Sequence, residues 1–258
     1  MVRGRVNGGP PLRLLLDSGS RFVVLSRRPA AKSGCSGGDD FELIGAGARS
    51  AKVAKFLRAE TIAIDDFVAR SVKILVTDEP LADGVDGVVP LTLFRGFLMR
   101  LNASTHSLDL EPYPPERARQ PGELEVIEDN DLLFVKCHLN GSRDACFLLD
   151  TGASYNAISL ALARELSSPD LMNHAISLQG GTAALQGRLT RVLTNFRVGA
   201  RELVPDPMVV IDLSLMSRYH QMEISGLIGF PALRESVLAV NYRDGRIRID
   251  SGSASHAR

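Results

Sequence analysis

Two aspartates, Asp17 and Asp150, each follow three apolar residues and precede a small hydroxyl residue and a glycine. A strand that ends at an aspartate carries the carboxylate to a buried place, and the glycine lets backbone N–H groups approach it closely. Two carboxylates about 3 Å apart cannot both ionise easily, so they share a proton and titrate as a pair. Such a pair can act on a water, with the ionised member as general base and the protonated member as donor to a carbonyl.

The two aspartates occupy matching positions of an internal repeat. Residues 6–20, VNGGPPLRLLLDSGS, align without gaps with residues 139–153, LNGSRDACFLLDTGA. The alignment pairs Asn7 with Asn140 and Asp17 with Asp150, each 133 residues apart. Later segments, 86–110 and 225–249, also align and pair Gly87 with Gly226 at an offset of 139. A pseudo-two-fold axis relating the copies would bring the two aspartates face to face.

The repeat predicts two lobes joined by a linker. We expect the first lobe over residues 1–112 and the second over residues 125–250. The segment between them, residues 113–124, is rich in proline and charge and reads as an extended linker. The polar end of the chain, residues 251–258, is expected to be a frayed tail.

Inside each lobe the pattern favours β-structure. Short apolar segments lie between glycine, asparagine, aspartate and proline signals; they are Leu12–Leu16, Phe22–Leu25, Val72–Val76, Leu132–Leu139 and Phe147–Leu149. A helix is predicted over residues 159–167 with Ser159 as N-cap, and short helices near residues 91–97 and 231–235. The expected class is therefore all-β with a few short helices.

Composition excludes several classes of function. Thirty basic and thirty acidic residues give zero net charge and a pI of about 7.0, which argues against nucleic acid or anionic membranes as partners. No apolar run approaches the roughly 18 residues that span a bilayer. The five histidines lack metal-ligand spacing, so no metal or other cofactor is expected. The three cysteines, Cys35, Cys137 and Cys146, are expected to be buried free thiols, although Cys137 and Cys146 flank a hairpin and could face each other.

The motifs LLLDSGS and FLLDTGAS resemble the active-site motifs of the aspartic proteases, and the short lobes resemble the retropepsin-like group of that family. The resemblance covers nearly the whole chain and gains specificity because the motif occurs twice. It implies a two-lobed acid-protease fold built from two pseudo-symmetric small β-barrels. It also implies an aspartic endopeptidase that hydrolyses peptide bonds with a water activated between the two aspartates.

The resemblance assigns roles to individual residues. Asp17 and Asp150 would form the catalytic dyad. The hydroxyls of Ser18 and Thr151 would tie the two loops together, and two glycines, Gly19 and Gly152, would shape them. The family covers its cleft with a glycine-rich flap; the candidates are Ile44, Gly45 and Gly47 in the first copy and Gly180 and Gly181 in the second.

The expected partner is a peptide or protein substrate, and a monomer should suffice because both aspartates lie in one chain. The N-terminus shows no signal peptide, which predicts a cytoplasmic protein as the sequence is written. Similar bacterial proteins are often exported, so an exported or periplasmic location stays open if a leader is missing.

Two residues depart from the family pattern. Pro90 stands where the second copy has Gly229 in the apolar-apolar-glycine segment that packs beside the aspartate loop. Arg21 follows the first motif, where it could point inward and lower the pKa of Asp17 or point to solvent. These departures motivate an alternative function, a catalytically impaired module of the same fold that binds extended peptides without cleaving them.

Overall fold

The structure of the chain is a computed structural model that describes most of its 258 residues. The described residues are 1–43, 52–78, 81–116, 118–141, 143–166, 171–179, 184–190, 193, 195–203 and 208–252.

The described residues of the first half form nine strands and one α-helix. The strands are β1 (Val2–Val6), β2 (Leu12–Asp17), β3 (Val23–Ser26), β4 (Ser36–Leu43), β5 (Lys52–Ile64), β6 (Phe67–Thr77), β7 (Gly87–Pro90), β8 (Leu98–Asn102) and β9 (Ser107–Glu111). Helix α1 (Arg27–Lys32) follows β3, and a 3-10 turn (Leu91–Phe94) follows β7.

The second half repeats this order with more numerous, shorter strands. The strands are β10 (Leu124–Glu125), β11 (Ile127–Asp129), β12 (Leu132–Leu139), β13 (Arg143–Leu149), β14 (Ala157–Ser159), β15 (Leu171–Gln179), β16 (Ala184–Thr190), β17 (Phe196–Val198), β18 (Arg201–Leu203), β19 (Met208–Ile211), β20 (Gly226–Ile228), β21 (Ser236–Asn241) and β22 (Arg246–Ser251). The helices are α2 (Leu160–Glu165), α3 (Ser214–Tyr219) and α4 (Phe230–Leu233).

In the first half, six strands close into a barrel. They pair in the order β1-β2-β7-β3-β6-β5, and β5 pairs with β1 to complete the ring, while β4 extends β5. Strand β2 shows the alternation that builds the core, with Leu12, Leu14 and Leu16 buried and Arg13 exposed. Its parallel pairing with β7 ends at Asp17, so the barrel delivers this carboxylate to its rim.

The second half repeats the pairings of the first. Strand β13 pairs in parallel with β20, β20 antiparallel with β14, and β14 in parallel with β19, as do β2, β7, β3 and β6. Strand β12 pairs with both β13 and β17, matching the pairings of β1 with β2 and β5. The strand pairings of the two halves are therefore pseudo-symmetric, as the repeat predicted, although within the described residues they close a ring in the first half alone.

The two halves also share a sheet. Its order is β10-β22-β21-β8-β9, and its central antiparallel pair joins Leu101 of β8 to Leu238 of β21. A large apolar core cluster continues through this sheet from one half to the other; it includes Leu14 and Met99 from the first half and Leu149 from the second.

The three helical segments predicted from the sequence are present in the structure. Ser159 caps α2, because its Oγ accepts a hydrogen bond of 3.0 Å from the Leu162 N–H. The short helices predicted near residues 91–97 and 231–235 appear as the 3-10 turn and α4. Helices α1 and α3 were not predicted, and none of the helices within the described residues is long and apolar enough to cross a membrane.

The cysteines are free thiols, and the strand register separates two of them. Cys137 lies opposite Ala145, and Cys146 lies opposite Lys136. Neighbouring residues of a strand point to opposite faces, so the Cys137 and Cys146 side chains project away from each other. Cys137 is buried as expected, whereas Cys35 and Cys146 are only partly buried, so burial was predicted correctly for one thiol of the three.

Candidate active site

The two aspartates stand at equivalent strand ends in the two halves. Asp17 is the last residue of β2 and lies beside Pro90 of β7. Asp150 directly follows β13, and its N–H donates to the carbonyl oxygen of Ile228 in β20 over 2.9 Å. Each carboxylate therefore sits where a buried strand meets a tight turn between two neighbouring strands.

Each loop glycine lies against the carboxyl group of the opposite aspartate. A Cβ placed on Gly19 would be 2.5 Å from Cγ of Asp150, and a Cβ on Gly152 would be 2.5 Å from Cγ of Asp17. No real Cβ tolerates such an approach, so only glycine fits at these two positions. The reciprocal contacts bring the two carboxyl groups face to face across the pseudo-two-fold axis.

Backbone N–H groups hold each carboxylate in its own loop. The Gly19 N–H donates to Asp17 Oδ1 over 2.7 Å. In the second half the N–H groups of Gly152 and Ala153 both donate to Asp150 Oδ1, over 3.1 and 2.9 Å. These bonds orient the carboxylates, and they favour the ionised form of each.

Ser18 and Thr151 join the two loops through four hydrogen bonds. Ser18 Oγ donates to the Leu149 carbonyl oxygen over 2.7 Å, and Thr151 Oγ1 donates to the Leu16 carbonyl oxygen over 3.0 Å. Each hydroxyl oxygen also accepts from the backbone N–H of the other residue over 3.0 Å. Both side chains are buried, so every hydroxyl bond of this set crosses between the halves in a water-poor environment.

Burial raises the pKa of both carboxyl groups above the usual aspartate range. The pKa of Asp150 lies well above that range, because the charge of Asp17 and a hydrogen bond to it add to the effect of burial. For Asp17, burial is opposed by hydrogen bonds from Gly19 and from Asp150. The two carboxyl groups therefore titrate as a coupled pair that can share one proton. Both residues remain partly accessible, which leaves room for a water to reach the pair.

The departure at Pro90 has a compensating change. In the second half, the equivalent Gly229 donates its N–H to Asn156 Oδ1 over 2.9 Å. Proline has no N–H, and the first-half equivalent of Asn156 is Val23, which has no side-chain acceptor. Donor and acceptor are thus lost together, and replacing both partners by apolar groups leaves no buried polar group unpaired here.

Arg21 points neither at Asp17 nor freely into solvent. Its Nη1 donates to the hydroxyl of Tyr219 over 3.0 Å, and its Nη2 donates to Asn130 Oδ1 over 3.4 Å. Both partners belong to the second half. The pKa of Asp17 is raised, not lowered, so the inward orientation of Arg21 considered from the sequence is not the one adopted.

Sequence reasoning missed the role of the turn between β11 and β12. The sequence of residues 128–131, Glu-Asp-Asn-Asp, is typical of a solvated turn, yet the turn contacts the first half through two arginines. Arg95 pairs with Glu128 and, over 2.8 Å, with Asp131, while Asn130 accepts from Arg21. The four acidic or amide residues in a row were the only signal, and their partners are too distant in sequence to be inferred.

The flap candidates Ile44, Gly45, Gly47, Gly180 and Gly181 lie outside the described residues. The strands that flank them are described. Leu43 of β4 pairs with Lys52 of β5, and Gln179 of β15 pairs with Ala184 of β16, both antiparallel. Both candidate segments therefore connect the two strands of a hairpin.

The aspartyl protease family model matches the chain in two segments, residues 2–89 and 135–232. These segments correspond to the two pseudo-symmetric halves and together cover more than half of the chain. The chain belongs to the aspartyl protease family. A search of curated proteins found no match.

Proposed function

We propose that the protein is an aspartic endopeptidase whose catalytic dyad is Asp17 and Asp150. The observation that carries the proposal is the reciprocal contact of each carboxyl group with the glycine of the opposite loop. This contact requires both loops to approach at once, and it makes the two carboxyl groups a coupled pair. The raised pKa of Asp150 supports a shared proton, which is what general acid–base catalysis on one water requires.

In the proposed mechanism one aspartate of the coupled pair is ionised and the other is protonated, and we take Asp17 as the ionised member. Ionised Asp17 takes a proton from the water as the water oxygen attacks the scissile carbonyl carbon, and Asp150 donates its proton to the carbonyl oxygen. The tetrahedral diol then collapses as Asp17 passes its proton to the leaving nitrogen. A diol hydroxyl returns a proton to Asp150, and cleavage of the C–N bond releases an amine and a carboxylic acid. The hydroxyls of Ser18 and Thr151 hold the loops at the spacing that this exchange needs.

The proposed substrate is a peptide or a protein in extended conformation. Strands that end in a hairpin, such as β4–β5 and β15–β16, can offer backbone groups to an added strand. Because the chain carries both aspartates, one monomer contains a complete dyad.

The alternative function, peptide capture without cleavage, was motivated by Pro90 and Arg21. Pro90 is matched by Val23, so the backbone behind the Asp17 loop keeps its register with β7. Arg21 bonds to Tyr219 and Asn130 instead of to the dyad. Both observations favour the endopeptidase over the capture module.

The test is the digestion of a diverse peptide mixture from about pH 3 to pH 8, read by mass spectrometry, with wild type beside Asp17→Asn and Asp150→Asn. Peptide bonds cut by wild type should stay intact with both variants, because either change removes the shared proton chemistry. Asp65→Asn is the matched control, since Asp65 lies in an exposed turn with φ of 46°, which asparagine also tolerates. Cuts that survive in Asp17→Asn or Asp150→Asn would refute the dyad. Well-folded wild type that binds peptides but cuts none would favour the capture module.

A further inference from the structure

An apolar cavity of about 90 Å³ lies behind the aspartate loops, on the shared sheet. Its wall includes Leu16, which precedes Asp17, and Thr151, which follows Asp150. The remaining wall is largely apolar and includes the paired residues Leu101 and Leu238 of β8 and β21. Four polar residues also line it: Asn102, His106, Ser107 and Ser236. The cavity therefore touches both halves and lies against the hydrogen bond that joins Thr151 to the Leu16 carbonyl.

Pseudo-symmetry explains why this space is empty. The offset of 139 that relates Gly87 to Gly226 also relates the 3-10 turn Leu91–Phe94 to helix α4. It pairs three cavity residues with larger aromatic residues on the other side of the axis: Leu233 with Phe94, Ala103 with Tyr242, and Ser236 with Phe97. At these three positions the cavity side carries the smaller residue, whereas at Phe230, the equivalent of Leu91, it carries the larger one.

The aromatic residues at the three equivalent positions are well packed. Phe94 is fully buried and lies with its ring centroid 4.7 Å from that of Phe67, and Phe97 stacks edge-on against the same ring. Tyr242 is only 6% exposed. On the cavity side the hydroxyl of Ser236 accepts a hydrogen bond from Arg201 over 3.0 Å, so this small polar residue already has a partner.

We propose that this cavity is a binding site for a small aromatic ring. Most of the cavity wall is apolar and offers few hydrogen bonds to water, whereas a flat hydrocarbon ring gains dispersion contacts with it. Three equivalent positions across the axis carry phenyl or phenol rings, Phe94, Phe97 and Tyr242, so a single ring is the group that we expect to fit the cavity. The half-exposed side chains of Met1 and Phe230 also line the cavity, so it has an opening to the surface.

Binding has a consequence for stability. A ligand that binds the folded state alone raises the midpoint of thermal unfolding by mass action. Since the ring would contact Leu16 and Thr151, it would also restrain the hydrogen bond that ties the two loops. This inference concerns a site apart from the cleft and does not depend on catalysis.

The experiment titrates fluorobenzene into the full chain and follows its ¹⁹F resonance, together with thermal unfolding at each concentration. We expect saturable binding with a Kd on the order of 1 mM, a reasonable affinity for seven non-hydrogen atoms. The chain supplies its own blocking variant, Leu233→Phe, which places the residue of the equivalent position into the cavity. This variant should raise the Kd by at least about tenfold, because the new ring occupies the space that fluorobenzene would enter.

Two controls keep the result interpretable. Leu93→Phe makes the same chemical change in the equivalent turn of the first half, outside the cavity wall, and should bind fluorobenzene as wild type does. Ala103→Tyr fills the cavity from a different element and should block binding even if Leu233→Phe folds poorly. Absence of saturable binding to wild type, or binding that persists in folded Leu233→Phe or Ala103→Tyr, would overturn the proposal.

Discussion

Ser18 and Thr151 hold the two halves together by exchanging hydrogen bonds, each hydroxyl accepting from the backbone N–H of the other residue over 3.0 Å. Each hydroxyl also donates to a carbonyl oxygen just before the opposite aspartate. Removing one hydroxyl therefore leaves a buried N–H and a buried carbonyl oxygen without a partner, both on the far side of the axis.

Thr151→Val keeps the shape of the side chain and removes its hydroxyl. We expect the free energy of unfolding to fall by about 1–3 kcal/mol, the typical cost of leaving a buried polar group unpaired. Thr151→Ser keeps the hydroxyl and is the matched control; it should lose only the smaller contribution of one methyl group. Urea unfolding of the three proteins measures the difference. Equal stability of the Val and Ser variants would show that the hydroxyl bonds contribute little.

Gly19→Ala tests the close approach of the two loops. The new Cβ would be 2.5 Å from Cγ of Asp150, so the loops must separate. Overpacking of this kind costs about 1–3 kcal/mol, and the widened dyad should lose peptide cleavage. Gly96→Ala is the control, because its Cβ would meet nothing within 4 Å. If Gly19→Ala kept both wild-type stability and wild-type cleavage, the loops would not be in contact as described.

The repeat pattern predicted where the candidate site would form, because the pattern is a local property of the sequence. The apolar run before each aspartate determines a buried strand, and the glycine two residues later determines a turn, so Asp17 and Asp150 could be assigned to equivalent strand ends in the two halves. The constant offset between the copies then predicted that the two loops are related by symmetry. No contact between distant segments had to be known for these steps.

Other features depend on contacts that spacing does not encode. The bonds from Arg21 to Tyr219 and Asn130 join residues 198 and 109 positions apart. Pro90 was correctly identified as a departure from the family pattern, but its effect depends on Val23, a neighbour in the fold and not in the sequence. The opposite directions of Cys137 and Cys146 likewise follow from the strand register, which the sequence of the hairpin left undecided.

The pH dependence of stability should report the raised pKa of Asp150. A carboxyl group whose pKa is higher in the folded protein contributes stability below its unfolded pKa, about 3.9, and this contribution is lost as pH rises through the folded-state pKa. Asp150→Asn removes the group and can still accept from Gly152 and Ala153. The variant should therefore become progressively more stable than wild type as pH increases above about 4.

Asp78 offers a control whose pKa is shifted in the opposite direction. An exposed ion pair with Arg27 lowers the pKa of Asp78, so its contribution is present above the unfolded pKa and lost as pH falls. Asp78→Asn should accordingly be slightly less stable than wild type at neutral pH and equal to it in acid. Urea unfolding at several pH values measures both trends. An Asp150→Asn variant that lost stability relative to wild type on going from acid to neutral pH would contradict the raised pKa.

The contact between Arg21 and Tyr219 should contribute to the attachment of the Asp17 loop to the second half. A double-mutant cycle isolates it, with Arg21→Ser, which introduces the residue found at the equivalent position 154, and Tyr219→Phe, which removes only the hydroxyl. A hydrogen bond from a charged donor at a partly exposed site predicts a coupling free energy of about 1 kcal/mol.

Arg21→Lys keeps the positive charge but loses the planar fork that reaches both Tyr219 and Asn130, so it should behave more like Arg21→Ser than like wild type. Additive effects of the two single changes would show that the arginine acts through its charge alone, and Arg21→Lys would then match wild type.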